Sequence, residues 1–161
     1  KDSKKLSEKK RKEICTKLGI LKKDGVIDCY VAYESSVRID AIGISGAIRS
    51  CIRKALRGVH AKPNECKILL DGGLKAPEEF SYQKTIIKGD EKEWAIAFAS
   101  IMAKVSRDAR MVRLSKIHPK YGFEIHKGYG TLVHRQAIKQ CGLSSEHRKS
   151  FCKNVMKGKK N

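Results

Sequence analysis

Apolar residues recur along this 161-residue chain at changing intervals, and each change marks a new element. Ile14 and Leu18 are four apart behind Ser7, a good helix cap, so residues 8–18 read as a basic helix that Gly19 ends. Residues 26–35 (VIDCYVAYES) alternate loosely and are rich in Val and Tyr, which predicts a strand. Ile39, Ile42, Ile44, Ile48, Cys51, Ile52, Ala55 and Leu56 return to helical spacing, with Gly58 as the stop. The short apolar run 66–70 (CKILL) predicts a buried strand, and Asp71-Gly72-Gly73 a tight turn after it. Residues 82–88 (YQKTIIK) predict a further strand. A long helix over 92–117 is marked by Trp94, Ala97, Ile101, Val105 and Leu114, and closed by His118-Pro119. The glycine-rich loop 121–131 leads to a helix ending near Gln140, and a last short helix spans 145–155. Strands alternating with helices predict an α/β fold, with one domain over 1–156 and a basic tail, KGKKN, over 157–161.

Composition adds a partner. There are 36 Lys and Arg against 17 Asp and Glu, a formal charge of +19 that attracts polyanions by counterion release. Nucleic acid or the ribosome is therefore the expected partner, and a membrane surface is not. No apolar run reaches the length of a membrane span, and the basic start has no apolar stretch behind it. Cysteines stand at 15, 29, 51, 66, 141 and 152, with no C-x-x-C pair, which suits reduced thiols in a cytoplasmic protein.

Three places carry candidate chemistry. Asp71 ends a buried strand, where α/β folds bind ligands, yet Asp-Gly is also a common turn, and pattern alone favours the turn. Ser100, Lys104 and Asp108 share one face of the long helix, with Arg107 adjacent. That face lies among small and apolar residues, so Asp108 needs a partner, and a metal ion is one option beside a simple Lys–Asp pair. The segment YGFEIHKGYGT, 121–131, combines close-approach glycines with stacking aromatics such as Tyr129. His126 and His134 within and after it read as hydrogen-bonded structural groups rather than metal ligands.

These motifs occur in an order that resembles ribonuclease HII: DSKKLS at 2–7, LLDGG at 69–73, ASIMAKVSRD at 99–108, PKYGFEIHKGYGT at 119–131 and HRKSF at 147–151. The helix over 39–56 matches in place and character. The resemblance implies an RNase H-like fold, a mixed sheet flanked by helices. It implies a metal-dependent endoribonuclease that cuts the RNA strand of RNA–DNA hybrids, and at ribonucleotides embedded in DNA, leaving a 3′-hydroxyl and a 5′-phosphate. Two divalent ions, Mg²⁺ or Mn²⁺, would be the cofactors. The family's third and fourth metal-binding carboxylates fall on Asp71 and Asp108, and its substrate-sensing tyrosine on Tyr129. Lys4 and Lys5 match positions facing the nucleic-acid backbone, and Ser100, Lys104 and Arg107 match positions around the site. A monomer is expected.

The family's first two strands, which carry two further carboxylates and a Gly-Arg-Gly turn, have no counterpart here. The chain is therefore expected to be a fragment of a longer product, with weak metal binding and no two-metal chemistry. The alternative is a non-catalytic basic nucleic-acid-binding module derived from the family; a basic ribosome-associated structural protein ranks below both.

Overall fold

In the computed structural model, residues 6–156 are described. Lys4, Lys5 and the tail 157–161 lie outside them. The elements run α1 (Glu8–Lys23), α2 (Ser36–Gly58), β1 (Ile68–Asp71), β2 (Gln83–Ile86), α3 (Gly89–Lys92) and α4 (Trp94–Ile117). A 3-10 turn at Pro119–Tyr121 follows, then α5 (Phe123–His126), α6 (Leu132–Cys141) and α7 (Lys149–Met156). The fold is α/β, as expected. It divides into two compact units, one formed by the described residues through Tyr33 with Ile48–Val105, the other by Glu34–Ala47 with Ser106 onward.

In the first unit, Ser7 caps α1 by accepting a hydrogen bond from the Lys10 amide at 3.2 Å. The helix does not stop at Gly19. It runs a turn further, to Lys23, and the chain leaves it through Gly25, whose φ of 71° suits a residue without Cβ. There the Gly25 amide bonds the Lys22 carbonyl at 3.1 Å and the Val26 amide bonds the Leu21 carbonyl at 2.9 Å, the two closing bonds of a Schellman turn. An interior glycine costs a helix only about 1 kcal/mol, so a glycine alone is a weak stop signal.

α2 does end at Gly58, where the spacing placed its stop, but not through a left-handed glycine. The left-handed residue that ends α2 is His60, at φ 50°, with the Ala61 amide bonding Leu56 at 2.9 Å. Gly58 is small for another reason: a Cβ there would sit 2.2 Å from Cγ of Tyr30. The Tyr30 ring lies where any side chain at 58 would be.

The expected strand over 26–35 is not formed. Strand propensity acts only where a neighbouring strand completes the ladder. Here the Lys22 ammonium takes the Cys29 carbonyl at 2.7 Å and the Lys54 ammonium takes the Tyr33 carbonyl at 3.3 Å. β1 and β2 do pair, in parallel, with Ile68 opposite Gln83 and Asp71 opposite Ile86. Their connection has no helix, so its loop is packed instead. Leu70, Ala76 and Phe80 form a buried cluster with Ile52, Leu56, Ala61 and Ile68 against it. The Gln83 amide stitches the loop to the strand: it accepts from the Ala76 amide at 2.8 Å and donates to the Phe80 carbonyl at 2.9 Å. Trp94, counted among the apolar markers of the long helix, is exposed at its first position and belongs to no core.

The core of the second unit is Tyr121, Phe123, Ala137 and Ile138, with Met111, Leu114, Leu143, Cys152 and Val155 packed around them. Tyr121 and Phe123 stack with ring centroids 5.3 Å apart. The start of α7 is capped from α2: Asp40 accepts the Lys149 amide at 2.6 Å and the Ser150 amide at 3.3 Å, and it also accepts the Ser150 hydroxyl. Those donors hold the Asp40 carboxyl below its ordinary range, the Ser150 hydroxyl first among them. All six cysteines are thiols, and no helix among the described residues is long and apolar enough to cross a membrane.

Candidate metal and nucleic-acid site

Asp71 closes β1, half-buried, because the strand ends there and Gly72 turns the chain at φ 62°. One carboxylate oxygen, Oδ1, accepts the Gly89 amide at 2.8 Å. Glycine suits that approach: a Cβ at 89 would meet Ile96 Cδ1 at 2.5 Å, so the end of that side chain would have to move. Asp71 is therefore more than a turn residue. An amide eighteen positions along the chain holds one of its oxygens. Gly89 was not singled out in the sequence; the only local signal was a Gly-Asp step just before the long helix.

Asp108 is buried on α4, at 8% exposure, as its apolar surroundings suggested. Lys104 and Ser100 are half-buried at the preceding turns of the same face, and Arg107 is exposed. Arg107 reaches the glycine-rich loop. Its guanidinium donates to the Lys127 carbonyl at 3.2 Å and lies over the Tyr129 ring, 5.8 Å from the centroid.

That loop is tied at nearly every peptide. Lys127 and Gly128 take left-handed backbone, at φ 49° and 78°. The Gly128 amide donates to His126 Nδ1 at 3.2 Å, and the Tyr129 amide to the His126 carbonyl at 2.8 Å. The Tyr129 carbonyl accepts the Thr131 amide at 2.8 Å and faces His134 Nδ1 at 2.9 Å. Meanwhile His126 Nε2 bonds the Tyr121 carbonyl at 2.7 Å. The two histidines are thus hydrogen-bonded structural groups, as expected. The result is a rigid loop that exposes one ring, with Tyr129 at 56%.

Asp71 and Asp108 offer oxygen, the donor that Mg²⁺ and Mn²⁺ prefer. They fall short in number, for no group of three or more His, Cys, Asp or Glu able to hold a metal ion occurs among the described residues. Two carboxylates carry −2 against the +4 of two divalent ions. Each donor fits the kind of ion, and neither belongs to a ready-made ion cage among the described residues.

The sequence profile of the family described as Ribonuclease HII matches residues 1–154. The chain is 42% identical to the Ribonuclease HII of Fusobacterium nucleatum, over 96% of this chain and 71% of that protein. It is 39% identical to that of Clostridioides difficile, over 96% of this chain and 58% of that protein. For the Ribonuclease HII of Neisseria meningitidis serogroup C, identity is 40% over 93% of this chain and 74% of that protein. On these matches, with the family profile running through both units, the chain belongs to the ribonuclease HII family.

Proposed function

We propose that this chain serves an endoribonuclease that binds RNA–DNA hybrids, and DNA containing ribonucleotides, and cuts on the RNA side. Hydrolysis leaves a 3′-hydroxyl and a 5′-phosphate. The observation that carries the reading is Tyr129: an exposed ring on a locked loop, with the Arg107 guanidinium over it. An aromatic face stacks on a sugar or base, and a guanidinium beside it meets phosphate charge. The net charge of +19 supplies the general attraction to the duplex. Lys104 and Ser100, at successive turns below Asp108, add a cation and a hydroxyl along the same helix face. Asp71 and Asp108 are the proposed ligands of Mg²⁺ or Mn²⁺, and residues 1–156 the proposed catalytic domain. With two carboxylates present, metal binding is weak and turnover low.

That shortfall favours a second reading, a hybrid-binding module without catalysis. One experiment separates them. Labelled hybrid, and duplex DNA with a single ribonucleotide, are incubated with the 161-residue chain while Mg²⁺ or Mn²⁺ is titrated. The enzyme reading expects slow cleavage that Asp71→Asn abolishes while binding persists. No cleavage at any metal concentration, with binding intact in both proteins, establishes the module. Equal affinity for plain double-stranded RNA overturns both.

A further inference from the structure

The ties on the Tyr129 loop have a direction, and it begins at Ser144. The Ser144 amide lies 3.0 Å from His147 Nδ1, and an amide can only donate. His147 Nδ1 is therefore the acceptor, and its proton sits on Nε2. That nitrogen is 3.0 Å from His134 Nε2. A single proton fits between them, so His134 accepts there and carries its own proton on Nδ1. Nδ1 in turn faces the Tyr129 carbonyl at 2.9 Å. Both rings are buried, at 6% and 8% exposure. The His134 plane is set by His126, stacked 4.1 Å away at 13°, and by the edge of Phe123.

We propose that His134 is a positioning residue for Tyr129: His147 fixes it in the Nδ1–H form, and that N–H holds the Tyr129 carbonyl so that the ring faces the hybrid. The proposal rests on the reading of Tyr129 as a nucleic-acid contact. The relay works only with neutral rings, because a cationic His134 would turn an N–H toward the N–H of His147. Burial keeps both imidazoles below their ordinary range, which favours that neutral state. The Tyr129 carbonyl is held by His134 Nδ1 and by the Thr131 amide.

The test uses two near-isosteres. Asparagine places its NH₂ where Nδ1 lies and glutamine where Nε2 lies. Binding of a fluorescent RNA–DNA hybrid to the full chain is followed by anisotropy at pH 7.5. His134→Asn should bind within about twofold of the unaltered chain, whereas His134→Gln should lose roughly tenfold, most of what Tyr129→Ala loses. Equal behaviour of the Asn and Gln variants, with Tyr129→Ala weakened, overturns the positioning role alone. Unchanged binding by Tyr129→Ala overturns the reading of Tyr129, and the positioning role with it. Histidine ¹⁵N spectra of the unaltered chain need no variant: protons on Nδ1 of His134 and Nε2 of His147 are expected, and the opposite tautomers refute the relay.

Discussion

The support of Asp71 by Gly89 can be tested by a mutant cycle whose size follows from the structure. In Gly89→Ala the new Cβ would lie 2.5 Å from Ile96 Cδ1 and 3.4 Å from both Ile96 Cγ2 and Asp71 Oδ1. Carbon atoms rest about 3.5–4.0 Å apart, so only the Cδ1 contact is a true overlap, of about 1 Å. Ile96 is buried, at 7% exposure, and has little room to turn. Overpacking of this kind costs about 1–3 kcal/mol, and the first position of a four-residue helix returns little propensity in exchange. Ile96→Val removes the struck atom and costs about 1 kcal/mol by itself. If the overlap is the whole cause, the double variant costs about 1 kcal/mol instead of the roughly 3 kcal/mol that addition gives, a coupling near 2 kcal/mol. Urea denaturation of the four proteins at pH 7.5 measures it. On the enzyme reading proposed above, cleavage of hybrid should follow the same order, falling in Gly89→Ala and recovering in the double variant. Strict additivity in stability would refute the account of Gly89.

Three further outcomes follow from the same structure. Gly19→Ala should stabilise the fold by about 1 kcal/mol, since its Cβ meets nothing within 4 Å inside α1. Gly58→Ala should not share that gain, because its Cβ would sit 2.2 Å from Cγ of the Tyr30 ring, which has to move aside and give up its contacts; thermal melts showing equal gains for both would contradict this. Stability should also fall with acid. His134 and His147 have folded values below the 6.5 of free histidine, so the unfolded chain binds the extra protons: their contribution is complete above that pH and is lost as pH drops below it. A urea midpoint that is flat between pH 7.5 and pH 5 would contradict the buried neutral pair.

The reach of sequence reasoning followed the range of the interactions involved. Helical spacing depends on neighbours three and four residues away, so α1, α2, α4 and α6 were legible, as were the two strands flanking Asp71. Asp71 at a strand end, Asp108 on a helix face packed among apolar residues, and the ordered family motifs were likewise local text. Interactions between distant positions were not. Gly19, Gly25 and Gly58 look alike in a sequence, and only the closing hydrogen bonds and the Tyr30 ring told a tolerated glycine from a stop and from a space. Residues 26–35 had the composition of a strand, but a ladder is a property of two segments, and among the described residues lysine side chains took the Cys29 and Tyr33 carbonyls instead. The Gly89 amide on Asp71 and the His147–His134–Tyr129 chain join positions with no fixed spacing. No period announces such contacts. The chain alone determined which residue types were available for chemistry, whereas the packed structure decided which atoms hold them in place, because a hydrogen bond is set by distance in space and not along the sequence.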